Sequence, residues 1–437
     1  MINTEHADIG TSASIDIYGT DRFKSESLSI YFRLPVNKDE SIIRSLLLSV
    51  LKRGSEKYTT QKEINKKLDE LYAAIITLEN RKYDKEQLLG LNADIINNRY
   101  TEDGEDLLTG TLDVMSQILF HPLFDKDTGW FCEEYVKSEI LNYKNLILSQ
   151  INEPRSYAAI RCREETFASL DLSYKLSEMC ENIDKITAQA LTDYYKSVVS
   201  HAKCEVFYVG ERSIEEVSEL VRSVLPQVRN AVAASGVGEP KMLENPLSPI
   251  EIIEEKEISQ SRIVMSVNCG ITHYSKEYYA MSLCNEILGS SSISKLMMNV
   301  RESLGLCYEC SSAYDGARGA LFIYSGIDKS NFELAKSAIL DQIEAIKKGD
   351  ISEAEFSAAK KSLLNVYKGI YDSPAAIERF YLGKAVNGIH TDIETAAEKI
   401  SAITVDEVVS AAKKLCVHTI YFLKGISEGE VFEDECE

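Results

Sequence analysis

Residues Gly289–Ser312 read G-S-S-S-I-S-K-L-M-M-N-V-R-E-S-L-G-L-C-Y-E-C-S-S and are the most informative part of this chain. From Ser294 onward, apolar side chains recur at helical spacing until Gly305, a residue that adopts positive φ without steric cost. After Gly305 the side chains alternate as they do in a strand. The pattern predicts a sharp helix-to-strand joint, with Arg301 in the last helical turns and Tyr308 near the start of the strand.

Two polar side chains flank the predicted joint. The planar guanidinium of Arg301 and the phenol of Tyr308 can both donate hydrogen bonds to carbonyl oxygens. An extended peptide presents a row of such oxygens, so the pair is a candidate peptide-binding site. By residue type alone, an ordinary surface Arg beside a strand Tyr is the favoured interpretation, because short motifs are weak evidence.

The same predicted strand carries a C-x-x-C motif, Cys307 and Cys310. An offset of three residues along a regular strand places two side chains on opposite faces. The chain has no second pair at metal-binding spacing, so the pattern argues against a zinc or redox role. Its ten cysteines are irregularly spaced, which is typical of reduced and mostly buried thiols.

Composition limits the class of protein. The chain has 437 residues, of which 44% are hydrophobic and 27% charged, as expected for a soluble globular protein of two or three domains. Its net charge of −21 argues against nucleic acid or an anionic membrane as a partner. The N-terminus lacks the features of a signal peptide, and no apolar run approaches the ~20 residues that span a bilayer. We therefore expect a cytoplasmic protein.

A linker divides the chain into two halves. Asn230–Pro249 contains three of the eight prolines together with two glycines, a composition that avoids regular structure. This predicts an N-terminal lobe at residues 1–229, an interlobe linker at 230–250 and a C-terminal lobe at 251–437.

The two halves repeat one pattern. Each begins with a strand, a polar loop and a helix, and each ends with a Thr-capped helix followed by a short apolar strand. These terminal pairs are Ile186–Val198 with Cys204–Gly210, and Ile403–Leu415 with His418–Gly425. The repeat predicts an α+β fold of two homologous lobes, each a largely antiparallel sheet packed against helices.

Several familiar catalytic motifs are absent from the sequence. No two of the six histidines lie within a few residues of each other, so no helix offers two imidazoles at one-turn spacing. The sequence also contains neither a phosphate-binding P-loop nor a G-x-S-x-G nucleophile elbow.

The chain nevertheless resembles, over nearly its whole length, the insulinase/pitrilysin family of zinc peptidases, which contains mitochondrial processing peptidase. Members carry a Gly/Ser-rich turn, then S-x-L, then an R-E-x-x-G-L-x-Y joint in their second lobe. The corresponding residues here are Gly289–Ser292, Ser294–Leu296, Arg301, Glu302, Gly305, Leu306 and Tyr308.

The first-lobe signature of that family is degenerate in this chain. Family members carry H-x-x-E-H a few residues before a Gly-Thr or Gly-Ser pair, and alignment on Gly54 puts S-L-L-L-S at that motif. The resemblance implies that Ser45 and Ser49 replace the zinc-binding histidines and that Leu48 replaces the catalytic Glu. Glu139 matches the third ligand, although a solvated helix carboxylate is the favoured interpretation of it. Hydroxyls bind zinc poorly and Leu cannot accept a proton.

The resemblance implies a non-catalytic subunit of a heteromeric zinc metallopeptidase, similar to inactive bacterial members of the family. In this arrangement zinc is carried by a homologous partner subunit, and this chain holds no cofactor. Arg301 and Tyr308 would bind and position a peptide or unfolded polypeptide, and Tyr308 would help to stabilise the oxyanion. No peptidase activity is then expected of the isolated chain.

Two alternatives stay open at this point. One is a catalytically silent peptide-binding or structural scaffold of the same fold, as in some family members of respiratory complexes; inactive bacterial members are also associated with translation-factor modification. The other is a self-sufficient peptidase with an unrecognised site, for which the sequence offers no ligand set.

Overall fold

The computed structural model describes residues 4–10, 13–83, 85–102, 104–170, 174–225 and 241–426. Residues 230–240 of the predicted linker lie outside the described residues. The rest of that linker, residues 241–249, leads into the first strand of the second sheet.

Eleven strands are present in the described part of the chain. They are β1 Thr4–Ile9, β2 Ala13–Gly19, β3 Ser25–Pro35, β4 Ile75–Lys82, β5 Glu86–Ile96, β6 Lys203–Gly210, β7 Ile250–Glu257, β8 Ser261–Asn268, β9 Cys307–Asp315, β10 Ala320–Ile327 and β11 Cys416–Ile426.

The same ranges contain fourteen α-helices. They are α1 Ser41–Leu51, α2 Gln61–Glu70, α3 Leu107–Phe120, α4 Glu133–Asn152, α5 Pro154–Thr166, α6 Leu176–Ile183, α7 Ala188–His201, α8 Ile214–Val224, α9 Tyr278–Asn285, α10 Phe332–Lys347, α11 Glu353–Gly369, α12 Pro374–Val386, α13 Ile393–Ala402 and α14 Val405–Ala412. Two segments, Glu286–Ser290 and Leu296–Ser303, wind as π-helices. No helix of these residues is long and apolar enough to cross a membrane.

The two sheets share one topology. The six-stranded sheet has the order β1-β2-β6-β3-β5-β4, and the five-stranded sheet has the order β7-β11-β8-β10-β9. Without β1, the first order maps strand for strand onto the second. The pairs β2–β6 and β7–β11 are parallel, and the other described pairs are antiparallel. The predicted α+β class, with two largely antiparallel sheets packed against helices, is confirmed.

The helix starts that the repeat predicted are also present. The Thr187 side chain accepts a hydrogen bond from the Ala190 amide at the start of α7, and Thr404 accepts one from Glu407 at the start of α14. Each hydroxyl satisfies an amide that has no partner inside its helix. Each capped helix therefore leads directly into a central strand, β6 or β11.

The chain forms two compact units that interleave in sequence. The first consists of Met1–Leu146, Tyr174–Gly238 and Ile370–His390, and the second of Ile147–Ser173, Glu239–Gly369 and Thr391–Glu437. Each unit thus takes most of its residues from one predicted lobe and one segment from the other. The contiguous boundaries at residues 229 and 251 stay a prediction.

Two segments belong to the unit opposite to their predicted lobe, Ile147–Ser173 and Ile370–His390, and both cover sheet faces. In the first unit, Ile377, Leu382 and Val386 of α12 pack with buried residues of β3, β5 and β6. In the second unit, Ala158 and Cys162 of α5 pack with buried residues of β8, β10 and β11. Each sheet is consequently covered on one face by a helix that is distant in sequence.

Candidate functional site

The predicted helix-to-strand joint is present in the second unit. The helix Leu296–Ser303 is followed by Gly305, whose φ of +63° reverses the chain, and β9 begins at Cys307. The Gly305 amide donates to the Arg301 carbonyl at 3.0 Å. The prediction is confirmed, with the difference that the helix is π-wound, a geometry that is rare and often found at functional sites.

Close packing holds the joint from both sides. A Cβ at Gly289 would lie only 2.7 Å from the Ser312 amide nitrogen, so glycine allows the first π-helical segment to approach β9. The buried Lys295, just before the second segment, pairs with Glu355 of α11 at 2.8 Å. The Arg301 helix is therefore fixed against both a strand and a helix.

The Arg301 side chain is accessible at the end of this helix, with 39% of its surface exposed. Its Nη1 donates to the Glu302 carboxylate at 3.0 Å and lies 3.5 Å from the Met297 sulfur. Within the described residues no hydrogen bond from Nη2 or Nε occurs, so these two groups keep unused donor capacity.

Tyr308 occupies an irregular position at the edge of the sheet. The register of β9 on β10 pairs Cys307 with Ile327 and Glu309 with Gly326, which leaves Tyr308 as the extra residue of a β-bulge. Its side chain is 69% exposed. The bulge thus turns the tyrosine outward, next to the helix that carries Arg301.

The bulge also corrects the expectation for the C-x-x-C motif. Cys307 lies opposite Ile327 and Cys310 lies opposite Ser325, and these partners are two residues apart on one strand. Paired residues share a face, so both thiols point to the same side of the sheet. The sequence-based argument was wrong because it assumed a regular strand, and one inserted residue restores the even spacing.

In the first unit, α1 carries the degenerate metal motif. Ser45 and Ser49 are half-buried, whereas Leu48 packs in the apolar core. The Ser45 hydroxyl donates to the Ser41 carbonyl at 3.1 Å and accepts from the Asn80 amide at 3.2 Å. The serine oxygen is therefore already engaged by the protein itself.

Beside Ser45 a buried cation organises the polar contacts. Arg44 is 1% exposed; its Nη1 donates to Gln87 at 2.6 Å, and Gln87 in turn donates to Asn80. Its Nε donates to Tyr194, and burial raises the pKa of that phenol. The network connects a guanidinium to Ser45 through three hydrogen bonds, and this charge would repel a bound metal ion.

On α4, Glu139 is occupied in a similar way. Its carboxylate pairs with Arg53 at 2.5 Å, and Arg53 also donates to Ser138 at 2.8 Å. One turn further along, Tyr143 hydrogen-bonds Ser45, and burial raises the pKa of this tyrosine. These contacts bring α4 against α1 at the degenerate motif, with the charge of Glu139 already compensated.

These residues do not fit a zinc ion. Two half-buried hydroxyls, one buried Leu and one Arg-paired carboxylate lack the imidazole or thiolate donors of protein zinc sites. The described residues contain no group of three or more His, Cys, Asp or Glu that could hold a metal ion. We therefore derive no metal-dependent step in this chain.

The sequence analysis missed Arg44. A signal was present, because an Arg in the run I-I-R-S-L-L-L-S interrupts an otherwise apolar helix, and buried charges are rare unless they are paired. The partners could not be named in advance, since Gln87 and Tyr194 are distant in sequence.

A family and a protein that are similar to this chain are both described as inactive peptidases, which agrees with the lack of zinc-binding side chains at Ser45 and Ser49. The family described as Peptidase M16 inactive domain matches residues 185–363. A probable inactive metalloprotease, YmfF of Bacillus subtilis, is 27% identical over 409 residues, which cover 94% of this chain and 95% of that protein.

Solved structures show the same fold. A conserved protein from Enterococcus faecalis has a TM-score of 0.87 at 25% identity, covering 98% of this chain and all of that one. A peptidase M16 inactive domain from Pseudomonas fluorescens has a TM-score of 0.75 at 18% identity, covering 97% and 98%. The resemblance predicted from the sequence is confirmed: residues 185–363 match the Peptidase M16 inactive domain, and the chain is similar over most of its length to a probable inactive metalloprotease.

Proposed function

We propose that this chain is the substrate-binding, non-catalytic subunit of a heteromeric zinc metallopeptidase whose homologous partner subunit carries the zinc. The observation that carries the proposal is the exposure of the Arg301 guanidinium and the Tyr308 hydroxyl at one joint. The degenerate motif at Ser45–Ser49, which offers no zinc ligands, supports the division of labour.

The peptide would lie along β9. This strand ends the order of its sheet, and within the described residues its outer edge pairs with no further strand. An edge strand can accept an extended peptide through main-chain hydrogen bonds. Exposed Leu304 and Ile293 in the same segment add apolar surface for side chains of the bound peptide.

Arg301 and Tyr308 would then fix the register of the peptide. The guanidinium can donate two parallel hydrogen bonds, and the phenol can donate one, to peptide carbonyl oxygens. The proposal includes a cytoplasmic location in a bacterium. The bacterial origin of similar proteins supports the bacterial source.

The test is co-expression with a homologue that carries H-x-x-E-H, followed by kcat/KM measurements on a quenched fluorescent peptide. Arg301→Ala and Tyr308→Phe in this chain are each expected to lower kcat/KM about tenfold, equivalent to about 1.4 kcal/mol of transition-state stabilisation. Arg318→Ala and Tyr324→Phe, on the adjacent hairpin, serve as matched controls and should leave kcat/KM within about twofold.

Two results would contradict the proposal. If the mixture cleaves peptides at an unchanged rate with Arg301→Ala and Tyr308→Phe, the chain is a scaffold of the same fold. If the isolated chain holds stoichiometric zinc and cleaves the peptide alone, it is a peptidase in its own right.

A further inference from the structure

The pairing of β9 with β10 places two thiols side by side beneath the exposed Tyr308. Ile327 and Ser325, the partners of Cys307 and Cys310, are separated by two strand rises of about 3.3 Å each. The α-carbons of the two cysteines are consequently about 6.6 Å apart, within the range of roughly 4.4–6.8 Å that a disulfide requires. A regular strand would separate them by about 10 Å.

Both thiols are buried, and Cys307 is the less deeply buried of the two. A hydrogen bond with Cys310 is the largest of the effects that together lower the pKa of the Cys307 thiol to about 7; the Arg301 charge contributes to the same shift. Cys307 is 9% exposed and lies at the start of an edge strand, whereas Cys310 is 4% exposed. The pKa of the Cys307 thiol is therefore the lower of the two, and Cys307 is also the nearer to solvent.

We propose that Cys307 and Cys310 form a redox-active dithiol, which a low-molecular-weight disulfide oxidises to an intrachain disulfide across the β9 bulge. The proposal goes beyond peptide binding and does not depend on it, since its primary readout is the covalent state of two side chains.

The reaction balances in two exchanges. The Cys307 thiolate attacks one sulfur of the small disulfide RSSR, forms a mixed disulfide and releases one thiolate RS⁻. Cys310 then loses its proton to solvent and attacks the Cys307 sulfur, which expels the second RS⁻. Both thiolates take up protons, so two protein thiols are oxidised and one RSSR is reduced to two RSH.

The order of attack follows from the local charges. The hydrogen bond to Cys307 is the first cause that holds the pKa of Cys310 well above its usual range. This hydrogen bond is lost once Cys307 is part of a mixed disulfide. The first exchange should therefore lower the pKa of Cys310 and make its thiol a better nucleophile. Cys307 is thus the attacking residue and Cys310 the resolving residue.

Other cysteines of the chain provide a contrast. Burial raises the pKa of Cys162, Cys204, Cys269 and Cys284 to about 12. Thiols of this kind react slowly because the nucleophile is the thiolate. Oxidation by a small disulfide should therefore select the β9 pair over these four buried thiols.

The test treats the folded full-length chain with oxidised glutathione, then blocks free thiols with a maleimide under denaturing conditions and digests with trypsin. Cleavage after Arg301 and Arg318 isolates residues 302–318, which contain Cys307 and Cys310 and no other cysteine. We expect this peptide to lack both maleimide and glutathione and to be lighter by two hydrogen atoms. The peptide that contains Cys284 should still carry maleimide.

Variants assign the two roles. Cys310→Ser should stop at a glutathione adduct on Cys307, Cys307→Ser should leave Cys310 free for maleimide, and Cys284→Ser should behave like the wild type. Two maleimides on the wild-type peptide, or a glutathione adduct that persists on it, would overturn the proposal. The wild-type result alone decides the matter if a variant fails to fold.

Discussion

At the scale of single residues, the degenerate motif of α1 is organised by Arg44. Besides Gln87, its guanidinium donates to Tyr194, to the Pro35 carbonyl and to Glu40. A buried cation with this many partners is tolerated because each guanidinium nitrogen has an acceptor. The same network reaches the Ser45 hydroxyl through Gln87 and Asn80, so the buried Arg and the serine at the predicted metal position belong to one set of hydrogen bonds.

Replacing Arg44 should therefore be costly. Arg44→Met keeps the apolar stem but leaves several buried acceptors without donors, and it should lower the free energy of unfolding by about 3 kcal/mol. Urea unfolding followed by circular dichroism measures this loss. The control is Arg22→Met: Arg22 forms an exposed 3.6 Å pair with Asp372, and the change should stay within about 0.5 kcal/mol. Equal effects of both variants would contradict the role of Arg44.

At the scale of elements, the joint depends on how a helix stops. Gly305 has φ +63°, and a Cβ added there would meet no atom within 4 Å. Any cost of a side chain at this position is therefore conformational rather than steric. A substitution at Gly305 therefore measures how much the left-handed backbone conformation contributes to the stability of the joint.

Gly305→Ala should consequently destabilise the chain by about 1 kcal/mol, visible as a lower midpoint of thermal unfolding. Gly369, at the end of α11, is the matched control, because it also has open space around it but no positive φ. Gly369→Ala should be neutral or slightly stabilising. If the two substitutions have the same effect, the left-handed conformation does not limit the joint.

The start of α3 gives a pH-dependent prediction. Burial alone would raise the pKa of Asp106, but hydrogen bonds from Arg212 and Thr109 outweigh it and lower the pKa from 3.8 to about 2. Because the folded pKa lies below the unfolded value, the stabilisation is present above about pH 4 and is lost as the pH falls toward 2.

Asp106→Asn removes the charge and keeps an acceptor for the helix amide. At pH 7 it should cost about 1 kcal/mol, a value reduced for solvent screening of this half-exposed pair. The difference from wild type should shrink as denaturation is repeated from pH 4 to pH 2. Asp69→Asn, at an exposed position of α2, is the control, and a difference that persists at pH 2 would refute the ion-pair explanation.

At the scale of the whole molecule, each compact unit contains one covering helix that comes from the other half of the sequence. The segment Ile370–His390 belongs to the first unit, and the segment Ile147–Ser173 belongs to the second. Their helices cover apolar sheet faces, and uncovered faces of this kind lead to aggregation. The linker at 230–250 is therefore a poor place to divide the chain.

Fragments 1–229 and 251–437 should each fail to fold as independent domains. We expect binding of a hydrophobic dye and a broad thermal transition for each fragment, in contrast to the full chain. Joining residues 370–390 to fragment 1–229 through a flexible linker should sharpen its transition, because it restores the missing cover. Two monomeric fragments with sharp transitions and no dye binding would show that the contiguous lobes are autonomous.

The sequence alone predicted the family resemblance, the α+β fold class and the helix-to-strand joint. Gly305 fixes the joint because left-handed φ is a property of one residue, and Thr187 and Thr404 fix helix starts because a cap acts within three residues. The lack of zinc-binding side chains at Ser45 and Ser49 was equally predictable, since donor chemistry belongs to residue types.

Which residues that are distant in sequence come into contact depends on tertiary packing. The bulge at Tyr308 is a matter of register between β9 and β10, so periodicity within one strand misplaced Cys310 relative to Cys307. The partners of Arg44 lie on other elements, and the covering helices come from the opposite half of the chain. These features depend on long-range packing, which local sequence signals do not encode.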